Sequence, residues 1–298
     1  MRINKVLSFL RQNSCVKKTL GLLAYPLLCL TAFLTIYGSL HWQWKYASAS
    51  FLFLIWTLFY LTCLERIIPY KEEWAPTHQE WIRDFIYFFV TMLGGGLALP
   101  CALFLSKNLY TLKVSLPLFF ETLLTLLTSS LASYLFHRMS HIQKWIWLWH
   151  VTHHRDEKVN VGNNGVNHIF DVFFRRVLAL LPGIIFGFSQ EALLIVSIIN
   201  ITQGYFSHAN IDVKLGFLNY FVVGPELHRL HHSRDLTEAG HYSVDISFWD
   251  LIFKTFIWRP GLVPKEVGVV FPERYPLPQN YMASLLLPFK ISGSVELS

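Results

Sequence analysis

The chain carries His137-Arg-Met-Ser-His141 and, after eight intervening residues, His150-Val-Thr-His153-His154. Residues three or four apart lie on one face of an α-helix. The spacing therefore predicts one helical pair of imidazoles and one helical trio. The segment His228-Arg-Leu-His231-His232 repeats the spacing of the trio further along the chain.

Eight histidines in three helically spaced groups predict a metal site. A lone histidine is usually a hydrogen-bonded core residue, but eight clustered imidazoles with nothing to bind would each need a separate partner. Neutral imidazole is a common metal ligand. A transition-metal ion takes at most about six ligands, and a catalytic ion keeps one position open. The histidines therefore predict two ions, each with about four imidazoles.

The composition indicates a membrane protein. Of the 298 residues, 53% are hydrophobic and only 15% are charged, whereas soluble domains average about 25% charged residues. The mean hydropathy is +0.39. The net charge of +6 fits anionic lipid headgroups. No nucleic-acid-binding motif accompanies this charge, so nucleic acid is not an expected partner.

The apolar runs predict an all-α fold with four transmembrane helices. The runs cover residues 20–40, 47–64, 81–105 and 114–136, each close to the ~20 residues that span a bilayer. Two shorter apolar pieces, at residues 177–188 and 191–206, predict a hairpin that dips into the membrane and returns to the same side. The expected organisation is an N-terminal tail with the spans at 1–136, a catalytic region at 137–259 and an irregular tail at 260–298.

The distribution of basic residues predicts the orientation in the membrane. Lys45 is the only basic residue in the first outer loop, whereas five precede the first span: Arg2, Lys5, Arg11, Lys17 and Lys18. Cytoplasmic segments are enriched in lysine and arginine. The N-terminus is therefore expected in the cytoplasm. Four spans then bring the histidine groups to the same side.

The full pattern resembles the fatty acid hydroxylase and sterol desaturase superfamily. H-x-x-x-H, H-x-x-H-H, a lone His208 and a second H-x-x-H-H follow four apolar runs, and Gly240–Phe253 resembles the family's closing segment. The resemblance implies a membrane-bound non-haem di-iron enzyme that uses O₂ and two electrons to hydroxylate or desaturate a lipid C–H bond. The sequence carries no nicotinamide, flavin, haem or iron–sulfur motif. A separate electron donor is therefore expected, such as a b-type cytochrome, a ferredoxin or a reductase.

The chain departs from the family pattern at three positions. His241 replaces the usual Asn, Lys254 replaces a frequent Gly, and Gly204 stands where some members carry another histidine. His168 could supply that missing ligand or serve only as a hydrogen-bonding residue. The predicted catalytic residues are His153 and Asp250, the latter as a partner that fixes an imidazole tautomer. The predicted metal ligands are His137, His141, His150, His153, His154, His168, His208, His228, His231 and His232.

A membrane metal transporter is the alternative function. Transporters place ionisable ligands inside their spans, near the middle of the bilayer. Here the histidine groups lie at or beyond the ends of the apolar runs, which favours the enzyme. The lipid substrate, and the choice between hydroxylation and desaturation, remain open because both reactions begin with hydrogen abstraction.

Overall fold

The computed structural model describes residues 10–107 and 115–290, which are mostly helical. Within these residues the only β-structure is three isolated bridges. Residues Arg2 and Lys5, and parts of the third loop and C-terminal tail, fall outside the described residues. The helices are α1 (Ser14–His41), α2 (Tyr46–Ile67), α3 (His78–Ser106), α4 (Leu118–Ile142), α5 (Lys144–His154), α6 (Ile169–Phe186), α7 (Gln190–His208), α8 (Pro225–His231), α9 (Phe248–Ile252) and α10 (Tyr281–Lys290).

Helices α1 to α4 are long and apolar enough to cross a membrane, which confirms the four predicted spans. Their outer faces expose large apolar side chains: Leu22 is 68% exposed, Phe85 64% and Phe104 76%. Apolar surface on this scale is not stable against water, so it faces lipid. The chain is therefore an integral membrane protein.

The third span begins at a capping box, in which Thr77 and Glu80 bond each other's backbone N–H groups. The helix continues through Gly94-Gly95-Gly96 and Pro100 to Ser106 without a break. A Cβ atom added at Gly94 would lie 3.1 Å from the carbonyl oxygen of Ile169. Glycine at this position lets α3 approach the start of α6, which carries one wall of the site described below.

Helices α6 and α7 form the predicted hairpin. Gly187 ends α6 in a left-handed conformation, with φ 68°, and Ser189 caps α7. The Glu121 carboxylate accepts hydrogen bonds from the backbone N–H and the hydroxyl of Ser189. This contact attaches the turn of the hairpin to the first turn of α4.

The hairpin returns to its starting side, as predicted. Asp171 in the first turn of α6 lies 3.4 Å from the Nδ1 atom of His150, and the ring of His208 at the end of α7 lies 5.1 Å from that of His153. Helix α6 begins at Ile169, although the apolar pattern placed its start at residue 177. Three charged residues, Asp171, Arg175 and Arg176, interrupt the apolar run in the first turns and so conceal the start of the helix from a hydropathy argument.

The C-terminal segment corrects the prediction of an irregular tail. Residues 281–290 form α10, which packs on α5 and buries Ser284 and Leu287. The indole N–H of Trp147 donates a 3.0 Å hydrogen bond to the Tyr275 hydroxyl. The tail thus covers the helix that carries the histidine trio.

Candidate metal centre

The structure brings nine histidines into two groups. Within each group, the candidate ligand atoms lie within 4.8 Å of one another. All nine side chains come from α4, α5, α7 and α8, or from the residue directly after α8. The first group is His137, His141, His150, His154 and His231; the second is His153, His208, His228 and His232.

Each H-x-x-H-H motif divides its ligands between the two groups. His150 and His154 face the first group, whereas His153 faces the second. An i,i+4 pair is offset by about 40° around a helix, and an i,i+3 pair by about 60° in the opposite direction. A single short helix can therefore serve two ions that lie side by side.

The first group fits a metal ion in its nitrogen spacing. The Nε2 atom of His150 lies 3.0 Å from Nε2 of His137 and 3.1 Å from Nε2 of His154. The Nδ1 atom of His137 lies 2.7 Å from the Tyr242 carbonyl oxygen, which can only accept, so Nδ1 carries the proton. Its Nε2 then presents a lone pair. Neighbouring ligands of an octahedral ion with bonds of about 2.1 Å are separated by about 3.0 Å.

The second group presents lone pairs in the same way. His208 donates from Nδ1 to the Asn160 carbonyl oxygen at 2.7 Å, and the Nδ1 atom of His153 lies 3.3 Å from the Val166 carbonyl. The Nε2 atoms of His228 and His232 are 3.1 Å apart. The Nε2 atom of His208 is buried and has no hydrogen-bond partner among residues 10–107 and 115–290. A buried acceptor without a partner is uncommon, and a metal ion would satisfy it.

Burial keeps these imidazoles neutral. Desolvation is the largest cause that lowers the pKa of His153, His154, His228, His231 and His232 well below the usual value, and neighbouring imidazoles lower it further. Desolvation also lowers the pKa of His208 to about 4. Neutral imidazole is the form that binds a metal ion. Six of the nine imidazoles, with members in both groups, are therefore in the metal-binding form near pH 7.

Asp171 has a direct role at the first group. Its Oδ2 atom lies 3.4 Å from Nδ1 of His150 and 3.6 Å from the Arg175 guanidinium. A carboxylate on the outer nitrogen of a ligating imidazole fixes its tautomer and its orientation.

Asp250 supports the first group indirectly, through a loop. Its carboxylate accepts hydrogen bonds from the backbone N–H groups of Tyr242 and Ser243 at 2.9 and 3.0 Å, and from the Thr255 hydroxyl at 2.7 Å. It thereby fixes the loop whose Tyr242 carbonyl contacts His137. Asp250 thus acts on His137 through this loop, and its predicted role in catalysis stays a prediction.

His168 and His241 lie outside both groups. The Nδ1 atom of His168 accepts from the Phe170 N–H as the cap of α6, and its Nε2 lies 3.1 Å from the Leu285 carbonyl. Both ring nitrogens are thus used in protein contacts, which favours the hydrogen-bonding role that the sequence left open for His168 over the role of a ligand. His241 contacts the carbonyl of Ile257 through Nε2.

A cavity of about 200 Å³ opens beside the histidines and contacts both groups. His137 and His150 of the first group line it, together with His153 and His228 of the second. Helices α3, α4, α6 and α7 supply most of the remaining walls. The backbone carbonyls that orient the histidines, and the arginines in this cavity, had no signal in the sequence.

Comparison with known proteins agrees with this geometry. The model of the fatty acid hydroxylase family matches residues 122–255, which include all nine grouped histidines. This segment belongs to the fatty acid hydroxylase family, and the chain is an oxidoreductase. No solved structure matches the chain.

Two kinds of characterised relative are similar to the chain. The ornithine lipid hydroxylase OlsE of Rhizobium tropici is 25% identical over 274 residues, which are 85% of this chain and 81% of that protein. The alkylglycerol monooxygenase of Xenopus tropicalis is 26% identical over 160 residues, 52% of this chain and 33% of that protein. The human alkylglycerol monooxygenase is 27% identical over 129 residues, 41% of this chain and 27% of that protein. The matched region thus spans about a third or less of the two monooxygenases.

Proposed function

We propose that this chain is a membrane-bound di-iron hydroxylase that transfers one oxygen atom from O₂ to a C–H bond of a lipid. The observation that carries the proposal is the pair of buried imidazole groups, with nitrogens 3.0 to 3.1 Å apart, facing one cavity. The names of the relatives, a lipid hydroxylase and alkylglycerol monooxygenases, favour hydroxylation over desaturation.

The set of ligand atoms is compatible with iron. Both groups consist of imidazole alone, which suits iron, copper or zinc but not magnesium or calcium. His137, His141, His150, His154 and His231 would hold one ion, and His153, His208, His228 and His232 the other. Bound iron would supply O₂ activation, and the net reaction converts a lipid C–H bond, O₂, two electrons and two protons into a lipid alcohol and water.

The protein's own residues would bind the ions, orient the ligating imidazoles and exclude water from the site. Asp171 and the Tyr242 carbonyl hold the protons of His150 and His137 on Nδ1, so that Nε2 points to the ion. The grouped side chains of α5 and α8 are buried, which limits access of bulk water to the reacting carbon. His153 would act as a ligand that also borders the substrate cavity.

The electrons and the orientation complete the proposal. The electrons would come from a separate donor, a b-type cytochrome, ferredoxin or reductase.

The N-terminus and the histidine groups would face the cytoplasm. A reporter fused after Arg155 should read as cytoplasmic, and one fused after Lys45 as extracytoplasmic. The reverse pattern would contradict the orientation and leave the metal centre unaffected.

Lipid mass spectrometry of membranes from cells with and without the gene tests the reaction. We expect one lipid class to gain one oxygen atom only when the protein is present. A loss of two hydrogens would identify a desaturase. Unchanged lipids, together with altered cellular metal content, would favour the transporter.

A further inference from the structure

One wall of the cavity beside the metal centre is unusually polar for a lipid site. Val172, Arg175, Arg176 and Ala179 line it from α6. These positions follow the i, i+3, i+4, i+7 spacing of one helix face. That face carries two guanidinium groups beside the histidines that would hold the metal ions.

The two arginines differ in their partners. Arg175 pairs with Asp171 and so belongs to the support of His150. Arg176 has no ion pair or hydrogen bond with any residue in the described ranges 10–107 and 115–290. Its side chain is exposed yet lines the cavity, and it interacts electrostatically with Arg175 and Tyr205. A guanidinium that lines a cavity without a counter-ion is available to bind an anionic group there.

The same cavity contains further unused polar atoms. The amide oxygens of Asn167 and Asn200 are buried, line the cavity and have no hydrogen-bond partner within the described part of the chain. Gly204 leaves space open, because a Cβ atom there would meet no other atom within 4 Å. The cavity thus combines a free cation, free acceptors and room for a group larger than water.

We propose that this cavity binds the acidic headgroup of the lipid substrate, with a carboxylate or phosphate held by Arg176. The inference rests on the proposed function and specifies its substrate class. A guanidinium binds either oxyanion through two parallel hydrogen bonds, and the two asparagine oxygens accept from N–H or O–H groups of the same headgroup. Because the cavity contacts both histidine groups, the oxidised carbon lies in the headgroup or next to it.

Binding of lipids to the purified full-length protein tests the role of Arg176. The probes are N-oleoylornithine with a carboxylate, dioleoyl phosphatidate with a phosphate and dioleoylglycerol with no charge. We expect one acidic probe to bind at least about tenfold more tightly than dioleoylglycerol. The preferred acidic probe identifies the source of the oxyanion. Equal binding of all three probes to the wild-type protein would overturn the inference.

Variants separate recognition from folding. Arg176→Gln should remove the preference for the acidic probe, Arg176→Lys should keep part of it, and the exposed control Arg259→Gln should keep all of it. Metal content equal to wild type must accompany the result for Arg176→Gln. If Arg176→Gln prefers the acidic probe as strongly as wild type does, Arg176 is not the anion-binding residue.

The position of the new oxygen separates this inference from the function on which it rests. Fragmentation of the product should place the oxygen in the headgroup fragment. An oxygen in the acyl chain would overturn the inference and leave the hydroxylase intact. Selective binding of the acidic probe without any oxygenated product would contradict the proposed function and keep the binding site.

Discussion

Asp250 and His137 are linked through the backbone of a single residue, Tyr242. The Asp250 carboxylate accepts from the Tyr242 N–H at 2.9 Å, and the Tyr242 carbonyl lies 2.7 Å from Nδ1 of His137. Asp250 is buried and also holds Ser243 and Thr255. The residue therefore sets the orientation of a candidate ligand without touching it.

Asp250→Asn should weaken the first metal site. The asparagine side-chain amide would place an N–H donor against one of the backbone N–H groups that now donate hydrogen bonds to the carboxylate. Loss of a supporting hydrogen bond of this kind typically costs 10–100-fold in metal affinity or activity. The measurement is iron affinity of the purified variant, with the exposed control Glu273→Gln. An unchanged affinity would show that the loop holds its shape without Asp250.

His153→Ala should abolish turnover while the protein stays in the membrane. The change removes one of the four imidazoles of the second group, and the spans do not depend on this side chain. Product formation is measured in membranes and normalised to protein amount. His41→Ala and His78→Ala are matched controls, since both side chains are exposed and lie outside the two groups. Near-normal activity of His153→Ala, or an equally inactive control, would contradict the assignment.

His168→Ala should keep its metal and lose stability. The side chain caps α6 and contacts the tail at Leu285. Loss of a helix cap typically costs about 1 kcal/mol. Thermal unfolding in detergent and iron content are measured beside His208→Ala, which should lose metal. If the two variants lose metal equally, His168 belongs to the centre after all.

The sequence predicted the spans and the helical spacing of the histidines because both follow from local periodicity. It could not divide His150 and His153 between two ions, because that depends on where α8 docks against α5. His168 was suggested as a ligand because Gly204 stands where some family members carry a histidine, yet the direction of its side chain is set by the tail. The link from the Asp250 loop to His137, and the place of Arg176 in the cavity, depend on residues that are distant in sequence and meet only in the folded chain.

The most direct test of the central claim is the iron content of the detergent-purified protein after anaerobic iron loading. Two groups of imidazoles predict two iron ions per chain in the wild type, because nine ligands exceed one coordination sphere. His208→Ala should then retain about one. A wild-type protein that binds one ion per chain, or none, would contradict the di-metal centre on which the proposed function rests.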